Sequence, residues 1–168
     1  MKISQSNKQS LIVIDDVFEE LSPEITALIE DPLPALAWHS LEEEHKHADF
    51  CHAILQITAH CVDLTGIIGY EFWGQNNNKV DWHYDKDEVL YEKEKILKHP
   101  ICSTIYYLKV NDLTGGQLVI EDDFVVTPKT NRLIIFGPGR QHRVESYKGT
   151  RCSLNINLWN RRLEEYDL

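Results

Sequence analysis

Long apolar runs and signal-like segments are missing from this sequence. No run of about 18 apolar residues occurs, which argues against a transmembrane helix, and the first ten residues are polar rather than an apolar signal region. The four cysteines, Cys51, Cys61, Cys102 and Cys152, show no C-x-x-C spacing. Scattered cysteines of this kind are typical of a reducing compartment. We therefore expect a cytoplasmic protein with buried free thiols and no membrane partner.

Positive charge is also scarce. Lysine and arginine together number 17 against 27 acidic residues, which gives a formal net charge of −10. The basic residues form only short groups, such as Arg161-Arg162. Nucleic acids and anionic membranes attract clustered lysine and arginine. A nucleic-acid partner is therefore not expected.

The size of the chain predicts one domain. At 168 residues, of which 42% are hydrophobic, the chain is long enough to bury a substantial core but too short for a second full domain. We expect residues 1–168 to form a single domain, with an N-terminal helical support over about residues 1–66 and a β core over about residues 67–160.

The N-terminal third has helical signals. Residues 11–14 resemble a short strand that a turn at Asp15-Asp16 closes. Ser22-Pro23-Glu24 supplies a cap, a proline in the first turn and an acidic first turn, so we expect a helix through Ile29. A longer helix is predicted over residues 47–64, where apolar residues recur every three or four positions until Gly66.

Beyond Gly66 the sequence is typical of β structure. Segments rich in β-branched and aromatic residues are bounded by Gly, Asn, Asp and Pro clusters. We expect a mainly β, α+β fold, in which antiparallel strands form a sandwich or barrel and the helices pack on one outer face. The predicted strands cover residues 67–73, 101–110, 117–120, 132–136, 143–145 and 151–159.

A His-x-Asp pair, His83 and Asp85, is the first sign of chemistry. His142 follows 57 residues after Asp85, and Arg151 lies nine residues further along. Residues two apart on a strand face the same side, so His83 and Asp85 can reach one ion. Two imidazoles and one carboxylate suit a facial Fe(II) site with open positions. The guanidinium of Arg151 suits a carboxylate cosubstrate that chelates the same metal.

The remaining histidines do not suggest a second metal site. They surround an acidic run, residues 42–44, and their spacing matches no closed zinc pattern. We interpret them as solvated side chains. The group comprises His39, His45, His47, His52 and His60.

Four sequence blocks occur in an order typical of one enzyme family. Together they resemble the Fe(II)- and 2-oxoglutarate-dependent dioxygenases, and more narrowly the prolyl 4-hydroxylase-like branch. The resemblance covers about residues 67–160, and residues 12–18 resemble the opening strand of the family. The blocks are His83-Tyr84-Asp85, residues 103–108 with 115–118, residues 131–136 with 142–144, and residues 151–153.

The resemblance implies a fold and a reaction. The fold would be a double-stranded β-helix, or jelly roll, with the metal between its two sheets. The reaction would couple oxidative decarboxylation of 2-oxoglutarate to succinate with hydroxylation of an unactivated C–H bond. The cofactors would be Fe(II), 2-oxoglutarate and O2, with ascorbate as an optional reductant.

The same resemblance assigns roles to particular residues. His83, Asp85 and His142 would bind iron and would therefore be the catalytic set. The cosubstrate residues would begin with Arg151 and Ser153, at the distal carboxylate of 2-oxoglutarate.

Three further positions complete the expected cosubstrate pocket. Tyr107 would point its phenol at the same carboxylate, or would alternatively be a core aromatic residue. Asn155 continues the inward alternation of the last strand toward Asn157. Trp73 stands where the family commonly has a tyrosine, ten residues before the first iron ligand, and is expected to wall the pocket.

The substrate stays open at this point. A peptide side chain and a free amino-acid-like metabolite both suit the sequence. The charged excursion over residues 86–100 is either a solvated segment or a lid over the substrate. Lys86, Asp87 and Glu88 offer charges that suit a zwitterion or the charged flanks of a peptide.

Two alternative functions compete with the oxygenase. One is a cupin-like metal enzyme that does not use 2-oxoglutarate, and the other is a non-catalytic jelly-roll binding module. The buried carboxylate clamp expected at Arg151 and Ser153 argues against the first. The intact set of His83, Asp85, His142 and Arg151 argues against the second.

Overall fold

The computed structural model describes residues 2–5, 11–30, 33–121 and 124–163. These residues contain three helices, α1 (Pro23–Glu30), α2 (Ala48–Ala59) and α3 (Glu88–Glu94). Their strands are β1 (Lys2–Gln5), β2 (Leu11–Asp15), β3 (Ala37–Ser40), β4 (Gly69–Gln75), β5 (Val80–His83), β6 (Cys102–Gly115), β7 (Leu118–Ile120), β8 (Phe124–Val126), β9 (Arg132–Phe136), β10 (His142–Val144) and β11 (Tyr147–Trp159).

The strands form two antiparallel sheets. The large sheet has seven strands in the order β1-β2-β9-β6-β11-β4-β3, and the small sheet has four in the order β5-β10-β7-β8. Strands β6 and β11 are the longest and pair along most of their length at the centre of the large sheet. Any side chain on the inner face of β11 therefore faces the small sheet.

Helices α1 and α2 cover the outer face of the large sheet. Ile54 and Phe50 of α2 are buried against Tyr106 and Ile156, and the rings of Phe50 and Tyr106 lie 5.4 Å apart between centroids. Alternation along β6 and β11 produces this face, because Tyr106 and Ile156 point opposite to Ile105 and Asn155. The apolar side of α2 and the outward-facing side chains of β6 and β11 thus form one shared core.

A second core fills the space between the two sheets. Ile105 and Tyr107 of β6 contact Leu118, Ile120 and Val144 of the small sheet. Two facing antiparallel sheets with helices on one outer face confirm the expected mainly β fold class.

Several predicted boundaries were wrong. The second helix ends at Ala59 rather than at residue 64. The reason is local: the Asp63 carboxylate accepts hydrogen bonds from the Thr65 backbone N–H and hydroxyl, at 2.9 Å and 2.7 Å, and this turn competes with helix continuation. Strands β1, β3, β5 and β8 and helix α3 were not predicted, because each is short and gains its stability from neighbouring elements.

The four cysteines are free thiols, as expected, but only two of them are buried. Cys51 and Cys102 lie in the core, whereas Cys61 and Cys152 are partly exposed. Burial raises the pKa of both the Cys51 and the Cys102 thiol to about 12. These two side chains therefore pack as small apolar groups. None of the described helices is both long and apolar enough to cross a membrane.

Candidate active site

Three side chains from the small sheet and its following loop converge between the two sheets. The antiparallel register pairs His142 of β10 with His83 of β5, and their ring centroids lie 4.2 Å apart. Asp85 follows two residues after β5 ends at His83, and its Oδ1 lies 3.8 Å from His142 Nε2. The candidate ligand atoms of all three lie within 4.8 Å of one another. The sequence-predicted iron ligands are therefore close enough to share one ion.

Backbone carbonyls orient both histidines in the same way. His83 Nδ1 lies 2.8 Å from the Asp81 carbonyl oxygen, and His142 Nδ1 lies 3.1 Å from the Arg140 carbonyl oxygen. A carbonyl oxygen only accepts, so each Nδ1 carries the hydrogen and donates it. Each Nε2 consequently keeps its lone pair for a metal.

Asp85 is held by residues that the sequence analysis missed. The Ser103 hydroxyl donates to Asp85 Oδ2 at 2.6 Å, and His99 Nδ1 donates to the Asp85 backbone carbonyl at 2.8 Å. The carboxylate therefore turns Oδ1 toward His142. Ser103 shares the inward alternation of Ile105 and Tyr107 on β6, which is the one sequence signal that pointed to it.

The electrostatics favour the ligand form of His142. Its side chain is 4% exposed, and burial lowers its pKa from the usual value, while the neighbouring Asp85 opposes this shift. The imidazole is therefore neutral at neutral pH. Neutral imidazole is the state that binds a metal.

Arg151 is buried on the inner face of β11 and is only partly satisfied. Its Nε donates to the Gly116 carbonyl at 3.1 Å and its Nη2 donates to the Tyr107 hydroxyl at 3.3 Å. Within the described part of the chain, Nη1 is buried without a hydrogen-bond partner. Gly116 has φ +75°, and a Cβ there would lie 3.3 Å from Arg151 Cδ. This glycine therefore gives the guanidinium room.

Two further donors on β11 lack partners. Ser153 and Asn155 are 0% and 3% exposed, and among the described residues neither Ser153 Oγ nor Asn155 Nδ2 has a hydrogen-bond partner. Unsatisfied buried donors cost about 1 to 3 kcal/mol each. Together with Arg151 Nη1 they form a row of donors on one face, and an anionic ligand rich in oxygen would satisfy them.

A cavity that is partly open to solvent lies at one end of this row, where Asn155 is among the residues that line it. The three candidate metal ligands line it, together with Asn155 and Trp73. Trp73 of β4 pairs in register with Asn155 of β11. The structure thus places Trp73 in the wall of the cavity that also contains the metal ligands.

The two ends of the charged excursion after Asp85 are joined by a backbone hydrogen bond. The Asp87 N–H donates to the Lys98 carbonyl at 2.9 Å, and the Asp87 carboxylate caps α3 by accepting from the Leu90 N–H at 3.0 Å. Val89 and Leu90, in the first turn of α3, are buried. The excursion therefore contains a packed helix beside the metal ligands.

A sequence model of the 2OG-Fe(II) oxygenase superfamily matches residues 66–159, more than half of the chain. The chain belongs to the 2OG-Fe(II) oxygenase superfamily. Its membership confirms the family resemblance, and the enzyme is an oxidoreductase of the 2OG-Fe(II) oxygenase kind. No curated protein matches this oxygenase by sequence.

Solved structures with the same fold include several prolyl hydroxylases. A prolyl-4-hydroxylase from Pseudomonas putida has a TM-score of 0.62 at 17% identity, covering 92% of this chain and 90% of that one. A Trichoplax adhaerens prolyl hydroxylase, in complex with a hypoxia inducible factor oxygen degradation domain peptide fragment, has a TM-score of 0.61 at 15% identity, covering 92% and 85%. These likenesses confirm the expected double-stranded β-helix fold.

Proposed function

We propose that this oxygenase couples oxidative decarboxylation of 2-oxoglutarate to succinate with hydroxylation of an unactivated C–H bond in a peptidyl or small amino-acid-like substrate. Residues 1–168 would act as one catalytic domain. The observation that carries the proposal is the pairing of a possible three-ligand metal site with a buried, partly unsatisfied arginine on the facing sheet.

The three candidate ligands fit Fe(II). Their donor set is two imidazole nitrogens and one carboxylate oxygen, which leaves coordination positions open for other ligands. His83 and His142 would each bind through Nε2, because Nδ1 is engaged by a carbonyl. Asp85 would bind through Oδ1, because Oδ2 accepts from Ser103.

The unsatisfied donors fit 2-oxoglutarate. Arg151 Nη1 and Ser153 Oγ would donate to its distal carboxylate, and the Tyr107 phenol beside Arg151 would add a third hydrogen bond. Asn155 Nδ2 would donate to an oxygen nearer the metal, and Trp73 would wall the cosubstrate. Fe(II), 2-oxoglutarate and O2 are the cofactors that the family implies, and ascorbate would serve as an optional reductant.

The chain's own residues would act by positioning and by excluding water. Bound iron would supply the site at which O2 is reduced, while the electrons would come from 2-oxoglutarate as it loses CO2 and from the substrate C–H bond. Arg151 and the buried Tyr107 would anchor one end of the cosubstrate away from water, and Trp73 would wall the cavity beside the candidate metal ligands. Holding the reacting groups in one geometry removes much of the entropic barrier.

Both substrate classes keep some support. The Trichoplax adhaerens prolyl hydroxylase is in complex with a peptide fragment, which favours a peptidyl substrate by analogy of fold. The cavity beside the candidate metal ligands is partly open to solvent, which would let a free amino-acid-like molecule enter.

The alternatives explain less of the geometry. A cupin-like metal enzyme without 2-oxoglutarate has no use for a guanidinium that is 1% exposed and short of one partner. A non-catalytic jelly-roll binding module has no need for three aligned metal ligands with both Nε2 atoms available.

Two substitutions separate the roles of metal and clamp. We expect His83→Ala to remove bound iron and activity together. Arg151→Ala should keep iron and weaken 2-oxoglutarate binding by about 2 to 5 kcal/mol, because a charged hydrogen-bond pair is lost. Iron content and 2-oxoglutarate affinity, measured without oxygen, test both expectations.

Arg143→Ala is the matched control, since that arginine lies on the outer face of β10, with its guanidinium 5.1 Å from the Trp82 ring. It should change neither measurement. An Arg151→Ala protein with wild-type affinity for 2-oxoglutarate would refute the clamp, and a wild-type protein that binds no iron would refute the metal site.

A further inference from the structure

A carboxylate stands on the inner face of β4, away from the arginine clamp. Glu71 pairs in register with Asn157 of β11, which in turn pairs with Ser103 of β6. Ser103 is the donor to the metal ligand Asp85. Neighbouring strands lie about 4.8 Å apart, so the Glu71 and Ser103 backbones are roughly 10 Å apart. A small molecule held at Glu71 would thus lie beside the iron ligands.

The cosubstrate clamp is far from this position. Arg151 and Asn157 are six residues apart on β11, which corresponds to roughly 20 Å along the strand. The inner face of the large sheet therefore has a buried cation toward one end and a carboxylate toward the other. A ligand at Glu71 and a cosubstrate at Arg151 would not compete for the same space.

Neutral donors hold only one oxygen of Glu71. Its Oε2 accepts from Trp159 Nε1 at 2.9 Å and from Asn157 Nδ2 at 3.5 Å. Among the described residues no donor reaches Oε1, and the side chain is partly exposed. If Glu71 only held the Trp159 indole in place, a neutral amide oxygen would serve as well. The second oxygen and the charge are therefore unexplained by packing.

The charge balance around Glu71 is incomplete. The carboxylates of Asp85 and Asp87 both oppose ionisation of Glu71 electrostatically. Asp85 faces the metal site, and Asp87 Oδ2 lies 3.4 Å from Arg161 Nη1. Within the described ranges, no lysine or arginine forms an ion pair with Glu71. Burial, with these two neighbours, raises the pKa of Glu71 to about 7.

The charged residues of the excursion after Asp85 do not neutralise Glu71. Lys86 Nζ and Glu88 Oε1 pair with each other at 2.6 Å, and Asp87 is buried as the cap of α3. The three charges that the sequence offered for a zwitterion are thus already engaged. A ligand cation at this position would stabilise the charged form of Glu71, since an unpaired carboxylate in a partly buried position is costly.

We propose that Glu71, with the amide oxygen of Asn157, binds a protonated amine of the substrate and so selects amine-bearing substrates. An ammonium group has several N–H donors, of which Glu71 Oε1 would accept one and Asn157 Oδ1 another. The amine comes either from a free amino acid or from a lysine side chain of a peptide. This inference rests on the proposed function and defines the substrate class of the same site.

The experiment compares amines with their acetylated counterparts. Succinate release by the Fe(II)-loaded protein is measured with free amino acids, their N-acetyl forms, lysine peptides and acetyl-lysine peptides. We expect some of the amines to raise succinate release and their acetylated forms to fail, and the two arms identify the source of the amine. Glu71→Gln should raise the KM for the stimulating amine at least tenfold, and Glu71→Lys should abolish the stimulation.

The control and the opposing outcomes are distinct. Glu42→Gln, on an exposed surface turn, should leave the amine KM unchanged. The inference is overturned if no amine in the panel stimulates the enzyme, if acetylated compounds stimulate equally, or if Glu71→Gln raises the KM values for amine and 2-oxoglutarate alike. In each case, succinate release by the wild-type protein would leave the proposed function standing. A wild-type protein that converts no 2-oxoglutarate under any condition would instead refute the proposed function.

Discussion

At the residue scale, the metal site depends on partners that fix each ligand atom. Both histidines donate Nδ1–H to the carbonyl two residues earlier, and Asp85 is oriented by a hydroxyl from the facing sheet. The three candidate ligands were predicted from their spacing, since His-x-Asp and a later histidine stand in one chain, and the structure brings them close together. The orienting groups were not predictable, because a carbonyl is present at every residue and Ser103 gains its role only through strand register.

Ser103 gives the first residue-scale prediction. We expect Ser103→Ala to weaken Fe(II) binding by about 10- to 100-fold, because the metal ligand Asp85 loses its orienting donor. Ser103→Thr keeps the hydroxyl and should retain most of the affinity. Anaerobic Fe(II) titration measures both, with Ser146→Ala on the surface as the control. Equal affinities for the alanine and threonine variants would contradict the role.

At the element scale, short segments depend on a few specific anchors. Helix α3 has only seven residues, and its cap Asp87 is 2% exposed. Strand β2 is joined to β9 by a paired contact, in which Arg132 Nε donates to Asp15 Oδ1 at 2.6 Å and Nη2 donates to Oδ2 at 2.9 Å. Most strands after Gly66 were predicted as elements, apart from the short β5 and β8. Helix α3 was not predicted, because its charged sequence gives no clear apolar period.

The anchor of α3 can be tested by proteolysis. We expect Asp87→Ala to speed tryptic cleavage after Lys93 and Lys95, because loss of an N-cap costs about 1 kcal/mol of helix stability. Glu94→Ala, at an exposed position, should cleave as the wild type does. If the excursion is a lid, Fe(II) with 2-oxoglutarate should slow cleavage between Lys86 and Lys98. Unchanged cleavage with and without these ligands would count against closure.

The contact between β2 and β9 predicts a pH dependence. Hydrogen bonding to Arg132 lowers the pKa of Asp15, so the folded protein favours the charged carboxylate. This stabilisation is present above the unfolded pKa of about 4 and is lost as the pH falls through the lowered folded value. We expect Asp15→Asn to reduce the free energy of unfolding by about 1 kcal/mol at pH 7.

Urea unfolding of Asp15→Asn and wild type at pH 7 and near pH 3 measures this difference, which should shrink at the lower pH. Asp16→Asn is the matched control, since Asp16 is 61% exposed and contacts only Lys129 among its described partners. A difference that stays constant over this pH range would show that the ion pair is not its source.

At the scale of the whole molecule, the active site exists only where two sheets meet. His83 and His142 come from the small sheet, whereas Arg151, Ser153 and Asn155 come from the large one. Ligands that bridge the sheets should therefore stabilise the complete fold. A ligand at 100 times its Kd adds about 2.7 kcal/mol to the stability of the native state.

Thermal unfolding measures this effect. We expect Fe(II) and 2-oxoglutarate together, without oxygen, to raise the Tm by roughly 5 to 10 °C. Arg151→Ala should retain the part due to iron and lose the part due to 2-oxoglutarate. A Tm that neither ligand changes, or that a metal chelator leaves unaffected, would contradict the bridged site.

The sequence by itself determined which side chains are available to bind a metal and a carboxylate, and it determined the type of fold. Residue identity, spacing and two-residue alternation are local properties of the chain. His83, Asp85, His142 and Arg151 could be named from them, and so could the mainly β architecture. Only the tertiary structure decided which donors around Arg151 stay unsatisfied. It also decided that Glu71 has no cationic partner among the described residues. Those properties depend on strand register and burial between residues distant in sequence, and no local pattern encodes them.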